Sequence, residues 1–494
     1  MKYKNYDNPF IMKFKTEDDF YIYDVNTNEI LKVDEVVYSI IDDIHRFSLN
    51  KIIRKWENRF KEIEIGRALE EVHRSRRDDN LFSRKRPVEI KPYGGRAIKA
   101  QIEEAVYQHL ILNVTENCNL RCKYCVYGGK YPNRRIHSPK RMTRQIAEKA
   151  LDLFLVKSNA IAEAHIGFYG GEPLSNFDLI RYCVAYVEDR QSSKYLYSMT
   201  TNGTLLNEQM MDYLIGKEFK LRISLDGPKE VHDQYRLNRM GQGTWDKVMS
   251  NVERLYVKSP KYFEKHVSII SVVATDNYMM KAKEFFEKHQ LLSKVGVSAS
   301  YPNYTPNWLF DEELPVVEDW SNCGRPELLR QCEANLIEKN GLTRFLERFF
   351  ELEFYQIYNR NVCAGFPAGI HMNGCCFPGQ RRLFVSCDGT LFVCERLDDG
   401  YPLGSVDEGL RVENIKKLIE DYQELSFTCL NCWAVRFCPK CFASFFSSGK
   451  FDKTLRDDDC QAYKNDLEQT FILYYKVLEQ NPRAFHFMKE VTLS

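Results

Sequence analysis

Cys118, Cys122 and Cys125 stand at CxxxCxxC spacing in the stretch NVTENCNLRCKYCVYGG, just after the apolar run His109-Leu110-Ile111-Leu112-Asn113-Val114. A structural zinc shell closes with four protein ligands, whereas three thiolates on one short loop can hold three corners of a [4Fe-4S] cube and leave one iron open. An open iron is a place for a substrate or cofactor to bind. Read alone, the spacing also allows a structural metal loop or three unrelated thiols. Downstream, the pair Gly170-Gly171 lets backbone come close to a small charged ligand, and Glu172 offers a carboxylate to an ammonium group. Thr200 and Asn202, then Ser224 and Asp226, put short hydrogen-bonding side chains at the ends of successive apolar runs. Asn202-Gly203 and Asp226-Gly227 are also ordinary turn dipeptides, and an arginine on a loop, such as Arg236, is commonly solvated.

A second cysteine field runs from Cys363 to Cys460. Cys376 is followed by an apolar run at Leu383-Phe384-Val385, a turn at Asp388-Gly389, and Cys394 at Gly-x4-Cys spacing. Then come Cys429-x2-Cys432-x5-Cys438-x2-Cys441, and finally Cys460. By itself the CxxC-x5-CxxC segment reads as a zinc ribbon.

Taken together, the cysteine loop with Tyr124 before its third thiol, Phe168-Tyr169-Gly170-Gly171-Glu172-Pro173, Thr200-Thr201-Asn202-Gly203 and Ile223-Ser224-Leu225-Asp226-Gly227-Pro228 occur in the order seen in radical S-adenosylmethionine (SAM) enzymes, which this chain resembles. The resemblance implies that SAM chelates the open iron and, on reduction, releases a 5′-deoxyadenosyl radical, with the protein supplying orientation. It implies that the Gly170-Gly171-Glu172 segment contacts the SAM amine, that Thr200, Asn202, Ser224 and Asp226 serve the ribose, and that Arg236 pairs with the SAM carboxylate. No residue stands out as a general base. The second cysteine field resembles the SPASM extension, C-x(9-15)-G-x4-C, C-x2-C-x5-C-x3-C and C, with x2 in place of x3 before Cys441. Its interleaved ligand order implies one auxiliary [4Fe-4S] cluster on Cys429, Cys432, Cys438 and Cys460. The other takes Cys376, Cys394 and Cys441, with Cys363 favoured as fourth ligand, Cys375 the alternative, and an open iron able to bind a substrate thiolate the third option. Three clusters are therefore expected. Apart from Cys375, the cysteines left over are Cys183, Cys323, Cys332 and Cys387, read as buried small hydrophobes.

With 494 residues, the chain has room for two to four domains, and a formal net charge of +1 removes the broad electrostatic case for nucleic acid as a partner. The basic clusters Arg74-Ser75-Arg76-Arg77 and Arg84-Lys85-Arg86 have acids nearby and read as linker. No apolar stretch approaches the ~20 residues that span a bilayer, and MKYKNYDNPF lacks the apolar core of a signal peptide. The expectation is a soluble, cytoplasmic protein, where reducing conditions suit sixteen cysteines as metal ligands better than as disulfides.

Six apolar runs must position the motifs: Leu110 to Val114, Ala164 to Phe168, Tyr195 to Met199, Lys220 to Leu225, Val267 to Val273 and Val295 to Ala299. They alternate with helical stretches such as Arg144 to Leu155 and Trp245 to Val257, the pattern of parallel βα units. The fold class expected is α/β, a partial (β/α)6 TIM-like barrel with the motifs at the C-terminal strand ends, where such barrels gather chemistry. Before it, short strands near Phe10 to Val33 and apolar stripes after Asp34 predict a winged-helix-like unit. The boundaries expected are 1–85 for this unit, 86–106 for a linker, 107–310 for the barrel, 311–362 for a helical bridge and 363–494 for the auxiliary-cluster domain.

The resemblance extends to maturases of ribosomally made peptides, of the sactipeptide and ranthipeptide type. It implies a precursor peptide partner, whose leader docks on the N-terminal unit and whose core loses a hydrogen and gains a thioether from a peptide cysteine. An external electron donor such as flavodoxin or ferredoxin is implied too. Alternatives are carbon-carbon crosslinking, a sulfatase-maturing-type oxidation of a protein residue, and, from another class, an iron-sulfur electron carrier without turnover. A carrier has no use for Glu172, Asn202 or Ser224 at strand ends.

Overall fold

The computed structural model describes residues 8–91, 98–129, 135–158, 161, 163–190, 195–273, 276–300, 324–371, 374, 376–397, 400–447 and 449–491. Cys323 and Cys375 lie outside them, as do all of residues 301–323, which include the start of the expected bridge at 311.

Three antiparallel strands open the chain: β1 (Ile11–Lys15), β2 (Phe20–Asp24) and β3 (Glu29–Val33). Asp24 closes the β2–β3 turn, accepting from Thr27 N at 2.9 Å, and also takes the Phe82 N–H at 2.6 Å, so the segment leaving the unit is tied to its middle strand. Asp34 caps the helix Glu35–Ile40 by accepting from Val37 N at 2.7 Å, a preferred N-cap arrangement. Alternation along the strands sends Ile22 toward the unit's own helices, among Ile40, Ile41, Ile65 and Leu69. Phe14, Tyr21 and Tyr23 point the other way, into the main core.

What covers that second face is not a neighbour in sequence. It is the long helix Lys453–Gln480, whose Phe471 ring lies 5.5 Å from Phe14 and 5.6 Å from Tyr23, with Tyr475 4.7 Å from Tyr21. A sheet with both faces covered must be hydrophobic on both, and the tyrosines meet this by keeping one polar tip each. Tyr21 donates to Glu479 and Tyr23 to Asn28.

Strand β4 (Glu89–Ile90) pairs with β11 (Gly369–Ile370). Between them run the six expected strands: β5 (His109–Thr115), β6 (Ala164–Gly170), β7 (Tyr195–Thr201), β8 (Lys220–Ser224), β9 (Val267–Val272) and β10 (Gly296–Ser300). They pair in parallel and in sequence order. Helices including Arg144–Ser158, Phe177–Arg190, Glu208–Gly216 and Trp245–Lys258 connect them, and their buried faces carry Leu151, Phe154, Val184, Leu214 and Val252. The fold is the partial α/β barrel that the alternation predicts. Beyond that pattern, β12 (Arg382–Val385) lies parallel on the free edge of β5, and β13 (Thr390–Phe392), β14 (Gly404–Ser405) and β15 (Gly409–Leu410) follow as an antiparallel meander. The second cysteine field is therefore continuous with the barrel sheet. Among the described residues no helix is long and apolar enough to cross a membrane.

Phe471 is fully buried at the junction of the first sheet and the C-terminal region. Phe471→Ala is expected to cost about 3–5 kcal/mol, the range for deleting a buried aromatic ring. Urea denaturation checks this, and an unchanged midpoint would contradict the junction.

Candidate functional site

At the mouth of the sheet the cysteine loop has no regular structure, so its backbone groups need partners elsewhere. The segment after the helix Lys229–Tyr235 supplies them. Arg121 N donates to Leu237 O at 2.6 Å and Lys123 N to Tyr235 O at 2.9 Å. The Cys118 carbonyl accepts from two guanidiniums, Arg121 at 2.9 Å and Arg239 at 2.8 Å.

Below the loop, Asp226 is fully buried and saturated. It accepts from Tyr124 Oη at 2.5 Å, Arg236 Nε at 2.9 Å and Val272 N at 2.9 Å. The Arg236 guanidinium also stands over the Tyr124 ring, 5.4 Å from its centre. Asp226 and Arg236, which the resemblance assigns to SAM, and Tyr124, the loop aromatic expected at the cofactor, thus form one buried knot joining the ends of β8 and β9 to the cysteine loop. The neighbouring His232 is buried with Nε2 3.1 Å from Thr244 Oγ1, and burial, against the pull of Asp226, lowers its pKa to about 4.

The glycine pair is a matter of space. A Cβ on Gly170 would sit 2.2 Å from Thr115 O, and one on Gly171 2.5 Å from Asn117 O, both impossible contacts. The close approach allows Gly171 N to bond Thr115 O at 2.8 Å and Glu172 N to bond Asn117 O at 2.9 Å, so the end of β6 clamps the start of the cysteine loop. Glu172 turns inward. Its carboxylate accepts from Thr201 Oγ1 and Asn202 N, both at 2.7 Å, and from Leu174 N at 3.1 Å. Burial raises its pKa to about 7 against the effect of those three donors. Asn202 accepts from Thr204 and donates to Asn119 at 3.0 Å, with Nδ2 3.9 Å from Cys118 Sγ. Thr200 is half-buried on β7, and Ser224 ends β8 opposite Ile270.

The three loop thiols lie near enough to feel one another's charge. Burial raises Cys118 and Cys122 to about 12 and Cys125 to about 11, and a second loop thiol adds to the rise at each. What surrounds the sulfurs are hydrogen-bond donors: Leu120 N and Asn202 Nδ2 at Cys118, and His137 Nε2 at 3.7 Å from Cys125. This donor set fits an iron-sulfur cluster, whose thiolates accept such bonds. Burial, with Arg121 and Arg239 nearby, lowers the His137 pKa to about 4.

In the second field, burial first and then Cys432, Cys438 and Cys460 raise the Cys429 thiol, and the same neighbours recur at Cys438 and Cys460. Cys376 and Cys394 each feel Cys441. These are groups of four and three. Cys363 is held elsewhere, on the β2–β3 turn of the first sheet: its N–H donates to Thr27 O at 2.9 Å, and Arg436 Nη2 lies 3.3 Å from its sulfur while also bonding Asn26 O. Among the described residues no three His, Cys, Asp or Glu side chains gather round one point as the ligands of a single ion would. Cys183, Cys332 and Cys387 are buried.

Sequence reasoning missed Asn119, Thr201, Thr204, Arg239 and His137. Asn119 and Thr201 lie inside the motifs and were readable there, whereas His137 belongs to no motif.

Residues 112–286, from β5 through the helix Asp276–Lys288, match the family model described as "Radical SAM superfamily". The Methanocaldococcus jannaschii protein named "Uncharacterized protein MJ0907" is 31% identical over 307 residues, 62% of this chain and 91% of that protein. The chain belongs to the radical SAM superfamily. The cysteine-type anaerobic sulfatase-maturating enzyme of Clostridium novyi is 26% identical over 344 residues, 65% of this chain and 84% of that enzyme. The solved structure of native anSMEcpe with bound AdoMet and Cp18Cys peptide shares the fold, with TM-score 0.56 at 20% identity, covering 78% of this chain and 99% of that one. Radical SAM membership implies SAM and a [4Fe-4S] cluster as cofactors.

Two substitutions probe the geometry. Gly171→Ala is expected to lower both the melting temperature and the iron retained after reconstitution, whereas Gly216→Ala, with no atom within 4 Å of its Cβ, should change neither. Asp226→Asn leaves Arg236 buried without its counter-charge, and a loss of about 3–5 kcal/mol is expected in denaturant titration.

Proposed function

We propose that this protein is a peptide maturase that removes a hydrogen from a ribosomally made precursor peptide and joins the carbon to a peptide cysteine as a thioether. The observation that carries the reading is the grouping of thiols downstream of a radical SAM site. Four (Cys429, Cys432, Cys438, Cys460) and three (Cys376, Cys394, Cys441) cysteines gather in a region joined to the barrel sheet through β12. They are suited to hold two auxiliary [4Fe-4S] clusters, three clusters in all with the loop site. When bound, SAM on the loop cluster supplies the 5′-deoxyadenosyl radical, and the auxiliary clusters supply acceptors for the electron left on the substrate.

The chain's own residues do the positioning. Gly170, Gly171 and Tyr124 hold the loop in place, Asn202 orients beside Cys118, and Thr200 and Ser224 at the strand ends face SAM. The engagement of Cys363 by Arg436 supports a cluster on Cys376, Cys394 and Cys441 with a corner for the peptide thiolate. In the three-stranded sheet, order β1-β2-β3 makes β3 an edge, and an extended leader adds there by main-chain hydrogen bonds. Residues 1–85 are thus the recognition unit, 107–310 the barrel and 363–494 the auxiliary-cluster unit. A flavodoxin or ferredoxin delivers the first electron.

A second reading, oxidation of a protein residue without a crosslink, is favoured by the similarity to the sulfatase-maturating enzyme. One experiment separates them. The reconstituted protein, given SAM, reductant and a leader-bearing peptide with a single cysteine, should yield a product lacking two hydrogens and no longer alkylated by iodoacetamide. A product altered only at the cysteine itself favours the second reading, and alanine at Cys118, Cys122 and Cys125 should abolish SAM cleavage in either case.

A further inference from the structure

The loop thiols have two kinds of neighbour. Leu120 N and Asn202 belong to the motifs, but His137 comes from a segment that no motif covers. Its Nε2 lies 3.7 Å from Cys125 Sγ, within reach of an N–H···S bond given sulfur's larger radius, and its own backbone N–H is anchored to Tyr127 O at 2.9 Å. Its other ring nitrogen, Nδ1, is buried and has no hydrogen-bond partner among the described residues. A ring with both protons already carries one on Nε2, and a ring with a single proton has one to place. On Nδ1 it would be a buried donor without an acceptor, and the Nε2 lone pair would face the lone pairs of a thiolate. On Nε2 it meets the sulfur. The chemistry therefore selects the Nε2–H tautomer.

We propose that His137 is a positioning residue that donates this hydrogen bond to the Cys125 thiolate and raises the reduction potential of the cluster held by Cys118, Cys122 and Cys125. The inference rests on the radical SAM reading of that site. Reduction adds one electron, delivered by the donor protein, to the cluster and increases the negative charge on its sulfurs. No proton moves and no bond breaks. A donor facing one sulfur stabilises the reduced state more than the oxidised one, which is how hydrogen bonds to sulfur tune such clusters. His137 thus eases the uptake of the electron that starts the reaction, from outside the motifs that hold the cofactor.

The test uses the full chain, reconstituted anaerobically, with the cluster of interest identified as the one whose EPR signal changes when SAM is added. His137→Phe keeps ring volume and removes the donor, and His137→Gln offers an amide N–H in its place. At the wild-type midpoint the Phe variant should show a reduced-to-oxidised ratio about tenfold lower than the wild type, a shift of 59 mV for one electron, with iron content unchanged. The Gln variant should recover most of the shift. A Phe variant that keeps its iron and the wild-type midpoint overturns the proposal and leaves His137 a spacer. If the Phe variant loses its iron, the decision passes to the wild type labelled with 15N-histidine. Pulsed EPR of the reduced cluster should show a histidine nitrogen coupling, and its absence overturns the proposal. A wild type with no SAM-responsive signal overturns the reading of the site itself.

Discussion

The buried ion pair between Asp226 and Arg236 is the interaction on which the rest of the site depends. A carboxylate and a guanidinium taken out of water are stabilising only if their hydrogen bonds are complete. Here Tyr124 and the Val272 N–H satisfy the remaining capacity of Asp226. Because the partners come from the ends of β8 and β9, the end of a short helix and the cysteine loop, satisfying one charge fixes four pieces of chain. The loop needs such fixing, since it makes no ladder or helix of its own.

A second constraint, of space rather than charge, acts from the opposite side. Gly170 and Gly171 bring the end of β6 against Thr115 and Asn117 more closely than any side chain allows. Glu172 then uses its carboxylate to tie the end of β7 to the same turn. The cysteine loop is held between these two devices, which keep its thiols near one another. Residues assigned to cofactor contact by resemblance therefore do a second task, that of building the cradle.

The two ends of the chain meet. The first sheet packs on the helix that carries Cys460, and the turn of that sheet holds Cys363 through Arg436. A peptide captured on the first sheet would be held against the cysteine-rich region rather than on a loosely tethered domain. β12 in turn joins that region to the barrel edge in one ten-stranded sheet, and one apolar core runs from the first, separate sheet to the barrel.

Local signals were enough for the elements and the motifs. Period-two alternation and apolar runs separated by helical stripes gave all six barrel strands to within a residue or two, because each strand of a parallel sheet covered by helices must be apolar along its length. The thiol spacings suggested the chemistry, since three cysteines on one short loop can hold three corners of a single cluster. Tertiary structure alone decided what depends on partners distant in sequence. Nothing near Phe14 or Tyr23 announces Phe471, nothing near Cys363 announces Arg436, and nothing in the order of the cysteines shows β12 on the edge of β5. His137 is the clearest case: a lone histidine has no pattern, and only the folding of its segment back onto Tyr127 brings its ring to Cys125. Spacing along the chain determined which side chains can share a metal cluster, whereas packing between distant segments decided which groups surround it.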